Sequence, residues 1–108
     1  ARSHLHDGRV VAWTGPYDHP VAIDAEVDRP VPAALARRFG THDFWRRWTR
    51  AECVAKLTGQ GVVRLLAILD EGDPPQVDLV THRLKGDIIV SVGTLRDVPS
   101  VTPPTVSI

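Results

Sequence analysis

The chain is short of several things, and each shortage excludes something. It has one cysteine, Cys53, so no disulfide forms within it, which fits a reducing compartment. We read that thiol as a small core residue. It has no net charge: thirteen Lys and Arg balance thirteen Asp and Glu, so no global field draws it to nucleic acid or to an anionic membrane. Any polyanion must be met locally. No apolar run approaches the roughly 18 residues of a spanning helix. Residues 1 to 15 carry His4, His6, Asp7 and Arg9 where a secretory leader needs an apolar segment, so the expected location is the cytoplasm. There is no internal repeat or low-complexity tract. Lysine is scarce as well: among the basic residues only Lys56 and Lys85 are not arginine.

What is present suits one globular domain. Of 108 residues 43% are hydrophobic and 24% charged, close to the averages of folded chains. We expect a single domain over residues 1–97 and an extended tail over 98–108, where "DVPSVTPPTVSI" is rich in Pro and Thr. "GRVVAWTG" is too short for a helix and suits a strand, and "GPYDHP" suits a turn. In "VAIDAEV" the residues Val21, Ile23, Ala25 and Val27 alternate with Ala22, Asp24 and Glu26, a strand with one apolar face. "AALARRFG" is a short helix stopped at Gly40. A second helix spans about 43 to 58, with Thr41 or Asp43 as its cap and Gly59 as its end. It carries an apolar stripe of Phe44, Trp48, Ala51 and Ala55 and a second stripe of Trp45, Thr49, Glu52 and Lys56. "VVRLLAILD" reads equally as strand or buried helix. "QVDLVTHRL" and "DIIVSVGTL" flank Lys85-Gly86 and form an antiparallel hairpin. The sum is an α+β fold, an antiparallel sheet with helices packed on one face.

Three groups of residues carry chemistry. Asp24 and Glu26 are two apart on a strand, so both side chains leave the same face. Alone they make a solvated strand face; with a cation between them their oxygens favour Mg²⁺ or Mn²⁺ over softer metals, and Glu52 is a third oxygen donor. Glu52 and Lys56 are four apart on the second helix, which taken alone is an ion pair worth about 0.2–0.5 kcal/mol. If that helix crosses the strand, Glu52 joins the two acids and Lys56 lies one turn further along. Ser3 and His4 directly precede the first strand, where a hydroxyl and an imidazole are placed to donate to a phosphate. His4 and His6 have the form His-x-His, but no Cys or acidic partner stands at zinc spacing.

In this order the groups resemble the 4′-phosphopantetheinyl transferase superfamily, in its surfactin-synthetase-activating branch. That branch shows Ser-His before a strand, then Gly-[Ile/Val]-Asp-[Ile/Val]-Glu, then Trp-[Ser/Thr]-x-Lys-Glu-x-x-x-Lys followed by Gly-x-Gly. This chain has Ser3-His4, "AIDAE" at 22 to 26, "WTRAECVAK" at 48 to 56, and Gly59 and Gly61. The resemblance covers roughly residues 2 to 62. It implies transfer of the phosphopantetheine arm of coenzyme A to a serine of an acyl or peptidyl carrier protein. It further implies Mg²⁺ on Asp24, Glu26 and Glu52, Glu52 as base, Lys56 on the leaving phosphate, and Ser3 and His4 on a phosphate of coenzyme A.

The chain departs from the pattern at four points. Ala22 replaces a glycine and Ala51 a lysine, the segment between Asp24 and Glu52 is short, and only two residues precede the Ser-His where two-lobed members have a whole lobe. Two expectations follow: an active protein self-associates into a homo-oligomer to complete its cleft, or the chain is an inactive relative that binds a carrier protein or small molecule.

Overall fold

The computed structural model describes residues 2–5, 7–12 and 20–96. His6, Trp13, most of the turn at 15–20 and the tail at 98–108 lie outside the described residues. The described chain forms β1 (Arg2–His4), β2 (Val10–Ala12), β3 (Val21–Val27), α1 (Ala33–Phe39), α2 (Phe44–Thr58), α3 (Val62–Glu71), β4 (Val77–Leu84) and β5 (Ile88–Leu95). The main sheet is antiparallel in the order β3-β5-β4, and β1 pairs with β2 in a separate hairpin. This is the α+β arrangement expected from the residue patterns. Ser3 and His4 precede the expected strand, β2, and themselves form a further strand, β1, with Ser3 opposite Val11.

Local chemistry explains the element ends. Gly59 ends α2 in the left-handed region at φ 68°, a conformation that costs glycine nothing, and its N–H returns to the carbonyl of Ala55. Asp43 does occupy the cap position of α2, but at φ 53° its side chain makes no cap hydrogen bond. Lys85 and Gly86 both have positive φ, which lets the β4–β5 connection close with Leu84 opposite Ile88. The ambiguous "VVRLLAILD" is helical. Leu65, Ile68 and Leu69 recur at helical spacing and are the residues that α3 buries.

Helix α2 is enclosed on two sides, by α3 and by the sheet. Ala51, Val54 and Ala55 pack with Leu65, Ile68 and Leu69 of α3, and Phe44 and Trp45 pack with Ile89 of the sheet. The stripe of Trp45, Thr49, Glu52 and Lys56 lies along the sheet: Thr49 Oγ1 and Ser91 Oγ are 2.7 Å apart, both residues 0% exposed. Ser91 also shares a hydrogen bond with Thr81, whose hydroxyl accepts from Arg50, so this buried polar chain is satisfied at each member. The opposite face of β3 carries Ile23 and Ala25, which cluster with Leu5, Ile88 and Val90. Strand β3 is thus covered on both faces, not on the one that its alternation suggested.

The close approach of α2 to the sheet depends on Gly93. A methyl group there would stand 2.9 Å from Leu79 Cδ2 and 3.3 Å from Cys53 Cβ, and the latter is fixed by the helix backbone. Gly93→Val is expected to cost about 1–3 kcal/mol through overpacking. Urea unfolding measures this, and an unchanged midpoint would contradict the packing.

Candidate active site

Strand β3 is an edge of the main sheet, and two side chains from other elements satisfy backbone groups along it. Ser3 Oγ of β1 accepts from the N–H of Ala25 at 3.2 Å. Lys56 Nζ of α2 donates to the carbonyl of Ile23 at 2.7 Å. Between these two anchors stands Asp24, on the face of β3 that α2 covers. Ser3 therefore lies inside the fold, 6% exposed, while His4 is exposed.

Asp24 is only 7% exposed, so the solvated strand face considered above is not what forms. Its Oδ1 accepts from Ser3 Oγ and from Lys56 Nζ, each at 3.4 Å. Both distances are long, since charge-assisted N–H···O bonds cluster near 2.7–2.9 Å. Its Oδ2 is buried with no hydrogen-bond partner among the described residues. A buried acceptor left unmade is costly, and a charged one more so. Burial accordingly pushes the Asp24 carboxyl up to about 7, opposed by Lys56 and reinforced by Glu52 and Glu26.

Lys56 pairs with Asp24 across elements, and the expected helix pair with Glu52 is electrostatic only, without a hydrogen bond among the described residues. Glu52 is half-buried, and burial raises its pKa, with Lys56 opposing and Glu26 reinforcing. Glu26 is held by Arg29, whose guanidinium bonds Oε1 at 3.0 Å and lies over the Trp45 ring at 3.9 Å. Arg29 was not among the residues singled out in the sequence, although a cation three places beyond an acid at a strand end is a visible signal.

The three carboxylates therefore feel one another, but they are not gathered. No group of three His, Cys, Asp or Glu that could hold a metal ion stands together among the described residues. The donor set still fits a hard divalent cation in kind. All donors are oxygen, their charges repel, and Asp24 Oδ2 has no hydrogen-bond partner among the described residues. Cys53, 0% exposed, behaves as the core residue it was expected to be: its thiol donates to the carbonyl of Ser91 at 3.2 Å, and burial pushes it up to about 12, far from thiolate reactivity.

Two clefts adjoin Lys56. One, of about 350 Å³, is lined by Arg2, Pro20, Val21, Ile23, Lys56 and Leu57; the other, of about 240 Å³, by Glu52, Ala55, Lys56, Gln60, Val62 and Leu65. A larger cleft of about 520 Å³ contains Arg29 and Trp45 but none of Asp24, Glu52 and Lys56. No helix among the described residues is long and apolar enough to cross a membrane. No protein-family model, curated protein or solved structure matches the chain.

The Asp24 shift has a definite sign. The folded carboxyl keeps its proton to about pH 7, whereas in the unfolded chain it ionises near 4. Folding takes up a proton in that window, so stability falls as pH rises through it, by about 2–4 kcal/mol in all. In buffer free of divalent cations, Asp24→Asn should gain on the wild type between pH 4.5 and 7.5 in denaturant unfolding. A difference that stays constant with pH would contradict the assignment.

Proposed function

We propose that the chain is a Mg²⁺-dependent phosphopantetheinyl transferase, moving the phosphopantetheine arm of coenzyme A to a serine of an acyl or peptidyl carrier protein. The observation that supports this most is the meeting of Asp24 and Lys56 at 3.4 Å, with Glu52 and Glu26 electrostatically coupled to Asp24. The residues that meet come from two separate motifs of the resemblance, one on β3 and one on α2.

The roles follow from the side chains. Asp24, Glu26 and Glu52 would hold Mg²⁺, which when bound supplies charge neutralisation at the pyrophosphate. Glu52, made more basic by burial, takes the proton of the acceptor serine directly or through a water. The serine Oγ forms a bond to the phosphorus that bears pantetheine, and the bridging P–O bond breaks to release 3′,5′-ADP. Lys56 has three ammonium protons; one goes to Ile23 and one to Asp24, which leaves one for the departing phosphate. A guanidinium cannot release a proton there, so lysine differs from arginine at this position. His4 is exposed beside the site and suits a phosphate of coenzyme A, whereas the Ser3 hydroxyl supports this reading only indirectly, because Asp24 and Ala25 already engage it.

A second reading, an inactive relative that binds a carrier protein or small molecule, has its own support. Glu26 is drawn to Arg29, and Ala51, where the resemblance has lysine, is 1% exposed in the α2–α3 core with no room for a cation. Incubation with coenzyme A, Mg²⁺ and a panel of apo-carrier proteins, read by mass spectrometry, separates the two. Transfer is expected, and Glu52→Gln and Lys56→Ala should each lower it by about 10²-fold or more. No transfer to any carrier, with no binding of coenzyme A, would remove the first reading; unchanged turnover in the variants would remove the assigned roles.

A further inference from the structure

The two edges of the main sheet differ in what meets their backbone. At β3 outward groups are taken: the Ala25 N–H by Ser3 and the Ile23 carbonyl by Lys56. At β4 the Arg96 N–H donates to the Gln76 carbonyl at 2.7 Å, one step beyond the Val77–Leu95 pair. Hydrogen-bonded pairs alternate along an antiparallel ladder, so Asp78, Val80, His82 and Leu84 turn their backbone groups to β5. Leu79, Thr81 and Arg83 turn theirs outward, and these N–H and carbonyl groups have no partner among the described residues. Edge strands are normally blunted by proline, lysine or a bulge. The strand "VDLVTHRL" has no proline or lysine, and its register with β5 runs unbroken from Val77 to Leu84.

Such an edge takes up another extended strand, and β4 is complementary to itself. A two-fold axis between antiparallel copies sets same-face residues opposite one another, which also brings outward N–H groups to outward carbonyls. Centred on Val80, the axis puts Val80 against Val80 of the second copy, Leu79 against Thr81, and Asp78 against His82. No like charges face each other. Arg96 engages Asp78 at Oδ1, which leaves Oδ2 for the imidazole. An axis centred on Thr81 instead sets Val80 against His82 and Leu79 against Arg83, apolar against polar each time. Thr81 bonds Ser91 on the α2 side of the sheet, so Val80 points to the other face, where it is 53% exposed. We propose that two copies of the chain join through β4 in the Val80-centred register, making one continuous sheet from two three-stranded ones. The seam lies at the opposite edge from Asp24 and Lys56, so it rests on the fold and not on the transferase reading.

Sedimentation velocity on the full chain should show a concentration-dependent dimer. Val80→Lys sets two ammonium groups against each other across the axis and should raise the dimer Kd about tenfold or more. The position is exposed, so the circular dichroism spectrum should match that of the wild type. Val80→Cys adds a geometric readout, because a non-hydrogen-bonded pair holds its Cα atoms about 4.5 Å apart, within disulfide reach. In Leu84→Cys, also exposed, the two thiols lie roughly 27 Å apart in this register. Cys53 is 0% exposed and does not compete. Mild oxidation should therefore give a covalent dimer of Val80→Cys and leave Leu84→Cys uncoupled. A wild type that stays monomeric up to millimolar concentration overturns the proposal. So does a dimer that Val80→Lys leaves equally tight, or equal cross-linking of the two cysteine variants.

Discussion

The contact between the Asp24 carboxylate and the Lys56 ammonium is the one on which the site depends. Asp24 is buried with one oxygen weakly bonded at 3.4 Å to two donors and the other bonded to none among the described residues. Each neighbour is best understood by what it does for that carboxylate. Lys56 lowers the cost of its charge, while Glu52 and Glu26 raise it. The local balance is short of positive charge, and a group in that state takes up a proton or a cation. Such a poised carboxylate is what the proposed metal-assisted reaction rests on.

The remainder of the fold serves to hold the contact in place. Lys56 is anchored by the carbonyl of Ile23, so its ammonium is set by the edge of β3 and not only by the helix that carries it. Ser3 does the corresponding job on the N–H of Ala25, tying the β1–β2 hairpin to the same edge. The distance between α2 and the sheet is fixed by Gly93, by the Thr49–Ser91 bond and by the Cys53 thiol against the Ser91 carbonyl. A shift of α2 would separate Lys56 from Asp24, so packing remote from the site sets its electrostatics.

Much of this was legible in the residues, and the remainder was hidden for identifiable reasons. The ends of α2, the alternation of β3 and the Lys85-Gly86 hairpin follow local rules of capping, period and turn geometry. Their spacing also brought Asp24 and Lys56 to one place. The burial of Asp24 was not legible, because a strand with alternate polar residues looks half-solvated until a helix is laid on it. Nor was the role of Ser3, which depends on a hydrogen bond to residues more than twenty positions away. The two stripes of α2 were legible as periodicity, but not that Ser91 of the sheet would partner Thr49 in the second. Arg29 draws Glu26 aside through a local i,i+3 ion pair, a signal present in the residues that strand periodicity does not weigh.

Taken together, these contacts describe a buried carboxylate crowded by two further acids and held by one lysine. The central claim is that Asp24 is the carboxylate that wants a cation, and it can be read at that residue directly. In a ¹³C NMR titration of the Asp24 carboxyl carbon, the metal-free protein should titrate near pH 7, and millimolar Mg²⁺ should move the midpoint down into the ordinary carboxylate range. A midpoint near 4 without metal, or one near 7 that Mg²⁺ leaves in place, would contradict the account.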